Sequence, residues 1–164
     1  MADYRIEFSK GAEVRFLSHL ELMRAFERAI RRAELPIAFS EGFNPHPKMS
    51  FSSALAVGVT CDKEYLDLEL QQELNAQEVM ERLNQSLPPG FKVRRCILLQ
   101  KKERALMAMV AEASYKVKVS LLSPVTKEVI DEAVDRLLTK ESLIIEKKAK
   151  KGSKLRKLGQ GYLL

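Results

Sequence analysis

Tyr4, Ile6 and Phe8 alternate with Arg5, Glu7 and Ser9, the period-two pattern of a strand with one face on a core. Gly11 interrupts it, and residues 14–17 are expected to extend the pairing. Ser18 then opens a helix. Glu21, three residues on, completes a capping box, and Leu17 and Leu22 flank it as a hydrophobic staple. Leu22, Met23, Phe26, Ala29, Ile30 and Ala33 form the apolar stripe of this helix, expected over 19–34. Arg24, Arg28, Arg31 and Arg32 lie off the stripe, with Glu27 and Arg31 spaced as an i,i+4 pair. Pro36 ends the helix, and a short strand is expected at 35–39. Met49, Phe51, Leu55 and Val57 share one parity, predicting a strand over 49–57. Its other face carries Ser52, Ala54, Ala56 and Gly58, small enough for close approach of another backbone or ligand.

Leu66, Leu68 and Leu70 alternate with Asp67 and Glu69, a further strand. Asn75 caps a second helix over 76–87, with Val79, Met80, Leu83 and Leu87 inward and Pro88-Pro89-Gly90 as its stop. Residues 91–98 form another strand. The order is β-α-β, a hairpin, then β-α-β, so the fold class is α+β with a ferredoxin-like split β-α-β sandwich over 1–104. A second, incomplete β-α-β unit is expected over 105–147. It consists of a strand at 113–121 (Tyr115, Val117, Val119 and Leu121 alternating with Lys116, Lys118 and Ser120), a helix at 125–139 and a strand at 142–146. Residues 148–164 read as a basic tail. Phe26, Ile30, Leu68, Leu83, Val93 and Leu137 are the expected core.

Charge adds to this picture through its distribution. The formal net charge is +6. Residues 60–90 hold seven acids and two bases, whereas 91–104 hold six bases and one acid and 140–164 hold eight bases and two acids. Clustered Lys and Arg attract phosphate backbones through counterion release, and they also serve simply as solubilising surface charge. No apolar run reaches the roughly 18 residues of a membrane span, and the first residues lack the grammar of a signal peptide. A cytoplasmic location is expected. Cys61 and Cys96 read as small hydrophobes, since a disulfide is disfavoured in a reducing compartment.

Several chemistries lack their residues. Two cysteines cannot supply the three thiolates of a radical-SAM cluster, and there is no C-x-x-C zinc pattern. Neither a phosphate-binding glycine loop nor a G-x-S-x-G elbow occurs. His19 falls at the first helical position, where the helix dipole disfavours its protonation. A neutral histidine there can act as a base, or simply pack on the sheet. His46 lies between Pro45 and Pro47, which hold Asn44 and His46 extended. This stiff loop presents Phe43, Asn44, His46 and Lys48: an aromatic to stack, hydrogen-bonding groups and a cation. Arg94, Arg95, Lys101 and Lys102 interleave the following strand and its end. These eight residues are the candidate RNA- or partner-binding set. His19 and His46 are the only catalytic candidates.

Residues 15–59 carry "FLSHL", then "GFNPHP", then the small-residue strand. In that order and spacing they resemble the bacterial family of radical-SAM-linked domains of unknown function, with weaker likeness through most of the chain. The resemblance implies a partner, a B12-binding-type radical-SAM protein. It also implies that the iron–sulfur cluster, S-adenosylmethionine and B12 belong to that partner, with no cofactor in this chain. It gives "GFNPHP" a position and no role, and it implies further strand beyond the Lys-rich segment. The resulting expectation is a non-catalytic accessory module that binds tRNA or another structured RNA and docks it to the partner. A metal-independent ribonuclease using His19 or His46, and a purely protein-binding adaptor, are the alternatives.

Overall fold

The N-terminal alternation becomes β1, Ala2–Lys10, with Ala2, Tyr4, Ile6, Phe8 and Lys10 turned to the core. The computed structural model describes residues 1–101, 103–140, 142–149 and 152–159. The chain divides into two units, Met1–Ser114 and Tyr115–Leu164.

In the first unit β1 is followed by a 3-10 turn, Ala12–Val14, and by α1, His19–Arg32. The turn replaces the extended pairing expected at 14–17. Gly11 N–H donates to Gly90 O at 2.7 Å, so the chain is tied to the neighbouring turn and cannot continue the ladder. Both halves of the Ser18–Glu21 capping box are present, which satisfies two of the N–H groups orphaned at a helix start. At the other end Glu34 takes a left-handed φ of 52°. Leu35 N–H bonds back to Ile30 O and Glu34 N–H to Arg31 O, the Schellman arrangement.

Next come β2 (Met49–Phe51), β3 (Cys61–Leu70), α2 (Ala76–Ser86) and β4 (Phe91–Leu98). The sheet order is β2-β3-β1-β4, and every pair is antiparallel. This is the ferredoxin-like α+β arrangement that the element order implied. Two expected strands are shorter than read. At 35–39 only the isolated bridges Ile37–Leu70 and Phe39–Pro47 form. The 49–57 strand stops at Phe51: after one more bond, Ser52 N–H to Tyr65 O, the small residues leave the sheet and Gly58 N–H bonds Arg15 O instead. Small side chains give a strand little cross-strand packing to hold it in place.

Packing follows from parity. Phe8, Phe26, Phe51 and Phe91 meet at the centre, with ring centroids 4.7 Å apart for Phe8–Phe26 and 5.6 Å for Phe26 with Phe51 and with Phe91. Each such ring contributes about 2–3 kcal/mol by leaving water. Phe26, Ile30, Leu68, Leu83 and Val93 are buried in this cluster as expected. The Tyr4 hydroxyl, a polar head inside the core, donates to Leu74 O at 2.6 Å and accepts from Leu74 N–H at 2.7 Å. Asn84 of α2 bonds both the N–H and the C=O of Val93, covering part of the outer edge of β4. A short helix, α3 (Leu106–Met109), follows.

The second unit contains α4 (Lys127–Leu138) and a hairpin of β5 (Ser142–Ala149) with β6 (Gly152–Gly159). Two expectations are corrected here. The segment read as a basic tail supplies strand β6, because it finds an antiparallel partner in β5. Residues 113–121 form no strand, since alternation supplies two faces but not the hydrogen-bonding neighbour that a strand also needs. Leu137, expected in the core, is 40% exposed; without a strand at 113–121 the anticipated β-α-β layer is not assembled. Among the described residues, no helix is long and apolar enough to cross a membrane.

Candidate functional site

The loop before β2 is built by its own hydrogen bonds. Ser40 N–H donates to His46 O at 2.8 Å, and His46 N–H to Ser40 Oγ at 3.0 Å. Phe39 and Pro47 form a bridge just below them. Gly42 turns the tip with φ 121°, a conformation side-chain-bearing residues rarely adopt. The two prolines stiffen the returning limb. The closed loop lifts Phe43 wholly into solvent, and Asn44 and His46 are exposed beside it.

Lys48 is placed differently from its neighbours in sequence. Its Nζ donates to both carboxylate oxygens of Glu69, at 3.0 and 3.1 Å, so it pins the foot of the loop to β3. Beside it a shallow depression of about 300 Å³ is lined by Asp3, Lys48, Met49, Ser50, Asp67, Leu68 and Glu69. The surrounding sheet face is rich in acids, and Arg5 and Lys48 on it are paired. Arg5 lies between Asp67, at 2.9 Å, and Glu103, at 2.6 Å, and the Asp67 hydrogen bond drives its pKa further upward against the opposing effect of burial. Tyr65 donates to Glu7 at 3.2 Å. Glu103 brings the chain after β4 back across this face, and Leu106 of α3 is buried although it stands outside the central core.

The basic candidates are spread over β4. Glu7 pairs with Arg95 and Phe8 with Val93, so Arg94 is the extra residue of a bulge. Arg94, Arg95 and Lys101 are exposed. Leu99 N–H bonds Asp3 O at 2.8 Å, which sets Lys101 at the end of the sheet where the Phe43 loop projects. Lys102 lies outside the described residues. His19 is at the opposite end of β2 from His46. Its ring meets Phe51 edge-on at 5.5 Å, so the two histidines do not share a site. Among the described residues no group of three or more His, Cys, Asp or Glu is placed to hold a metal ion.

Sequence reasoning missed a second polar cluster, near the start of α1. Lys10 is 1% exposed and its Nζ donates to Leu17 O at 3.0 Å. Burial lowers its pKa, partly offset by Cys61. Glu64 is buried on the apolar face of β3, where the hydroxyls of Ser52 and Ser53 donate to its carboxylate. The signal was available: Lys10 has the parity of Ile6 and Phe8, and Glu64 that of Leu66 and Leu68. A charge that continues an apolar row is either buried or ends the strand. Phe16 and Leu20, both largely exposed, border this end of the sheet.

No curated protein matches the chain. A family model does match, over residues 3–160, and its description reads "Uncharacterized protein conserved in bacteria" (DUF2344). With nearly the whole ferredoxin-like unit and the β5–β6 hairpin inside that match, the chain belongs to this conserved bacterial family.

Proposed function

We propose that the protein is a non-catalytic accessory module of the bacterial cytoplasm. It stands beside a radical-SAM protein of the B12-binding type, binds RNA, and docks that RNA to its partner. The exposed Phe43 carries this reading. An aromatic ring held in water on a pre-closed loop adds nothing to the core, and it offers a large apolar anchor at little ordering cost. Asn44 and His46 supply directional hydrogen bonds around it. Lys48 serves the loop through Glu69 rather than the partner.

RNA affinity rests on the solvent-facing bases of the β4 segment, Arg94, Arg95 and Lys101, with Lys102 beside them in sequence. The acid-rich sheet face, crossed by Glu103 and Leu106, argues against the stacking platform on which RNA-binding sheets of this fold rely. The iron–sulfur cluster, S-adenosylmethionine and B12 belong to the partner under this reading. The test is a salt titration of structured-RNA binding. Log affinity is expected to fall linearly with log salt, by about 0.9 per phosphate contact. Arg94→Gln with Arg95→Gln and Lys101→Gln should lower both affinity and slope. Affinity that ignores both salt and these substitutions would leave the protein as a protein-binding adaptor only.

A further inference from the structure

Every cation of α1 is an arginine, and three of them, Arg24, Arg28 and Arg31, are exposed at i, i+4 and i+7. They share the solvent face opposite Leu22, Phe26, Ala29 and Ile30. That row spans about 10 Å at 1.5 Å per residue. Leu20, 54% exposed, continues it at the N-terminal end, and Phe16, 66% exposed, stands just before the helix. The Arg15 guanidinium lies over one face of the Phe16 ring, 4.4 Å from its centroid. Arg15 is itself held by the bond its carbonyl accepts from Gly58 N–H at 2.8 Å.

The local acids, Glu21 and Glu27, offset only part of this row's charge, with Glu21 attracting Arg24. The Glu21 carboxylate is occupied by the Ser18 N–H at 2.8 Å and hydroxyl at 2.7 Å. Glu27 and Arg31, despite their spacing, form no ion pair, and among the described residues neither do Arg15, Arg24 and Arg28. Lysines would solubilise a helix equally well. Arginines left unpaired in a row suit planar, bidentate phosphate contacts. A largely exposed aromatic ring stacked by a cation, just before a helix that bears such a row, supplies the parts that hold single strands. The backbone follows the cations and a base stacks on the ring.

We infer that the solvent face of α1, from Phe16 to Arg31, is a binding surface for single-stranded RNA, separate from the β4 bases. The inference rests on the reading of the protein as an RNA-binding module and gives that module a second contact surface of defined chemistry.

The test is fluorescence anisotropy of a labelled mixed-sequence RNA strand of about 12 nucleotides, within the site sizes typical of stacking grooves, titrated with the full chain. Arg24→Gln with Arg28→Gln and Arg31→Gln should weaken binding at least tenfold. It should also lower the salt slope by about 2, since each single-strand contact is worth about 0.7. Phe16→Leu keeps the apolar bulk and removes the ring, and should weaken binding several-fold with the slope unchanged. Unchanged circular dichroism establishes that both variants are folded. If the α1 variant binds like wild type while the β4 variant loses affinity, the α1 surface is wrong and the RNA-binding reading stands. If wild type binds neither strand nor structured RNA, the functional reading falls and this inference with it. A glutamate homopolymer that binds as tightly as RNA, with the same loss in the α1 variant and none in Phe16→Leu, would mark the surface as one for acidic protein and overturn the RNA assignment.

Discussion

Lys10 is the residue most at odds with its setting. Its amine is taken from water for one carbonyl bond, and its pKa is lowered by burial. A buried ammonium without a carboxylate partner costs stability. Lys10→Met, similar in length and apolar, is expected to raise unfolding stability by about 1–3 kcal/mol at neutral pH in urea melts. The pH dependence has a definite sign. Between the lowered folded value and the unfolded value of about 10.4, the unfolded chain binds more protons, so stability rises with pH in that window. Wild type should therefore close the gap to Lys10→Met as pH increases toward 10. A variant less stable than wild type at both pH values would show that the amine has a stabilising partner.

The cysteines give a second test at this scale. Both are half-buried free thiols. Burial pushes Cys96 up to about 12 and also raises Cys61. The thiolate is the reactive form. Iodoacetamide at pH 8 should modify Cys61 before Cys96 in the folded chain, and both far more slowly than in denaturant, as read by mass spectrometry. Rapid labelling of Cys96 in the native protein would contradict its placement on β4.

Among the elements, those set by local pattern were legible. β1 follows from its alternation, and the start of α1 from Ser18 and Glu21, because both signals act over a few residues. The elements that need a distant partner were not. Residues 113–121 alternate as well as β1 does and yet lack a neighbour, whereas the Lys-rich segment gains β6 from β5. The ion pair that joins Arg5 to Asp67 and Glu103 spans most of the first unit in sequence, beyond the reach of any local pattern. The Phe43 loop lies between these cases. Its stiffness is written in Pro45 and Pro47, while the neutralisation of Lys48 by Glu69 becomes visible only when β3 is laid beside it. Pro45→Ala with Pro47→Ala should cost only about 1 kcal/mol of stability, through unfolded-chain entropy. The same double variant should weaken partner binding by more than the roughly fivefold that such an energy represents. Equal losses in both measurements would reduce the loop to a structural connection. His46→Asn, assayed by gel shift and cleavage on one RNA, should leave RNA binding unchanged. Cleavage by wild type that vanishes in this variant with binding intact would instead establish the ribonuclease.

On the scale of the whole molecule, the proposed function assigns separate work to three surfaces. It gives the Phe43 loop to a protein partner, and the β4 bases and the α1 arginines to a polyanion. Their effects should be separable, because they sit on different elements of one sheet-and-helix unit and share no side chain. Variants on β4 and α1 should change salt dependence and leave protein docking unaltered; Phe43→Ala should do the reverse. The most direct measurement is native co-purification of the tagged full chain from bacterial cytosol, with protein and RNA both identified, for wild type and Phe43→Ala. Wild type is expected to recover a radical-SAM protein together with RNA, and Phe43→Ala to retain RNA while losing that protein, at unchanged circular dichroism. Recovery of the same protein and RNA by Phe43→Ala, or of no radical-SAM protein by wild type, would contradict the account.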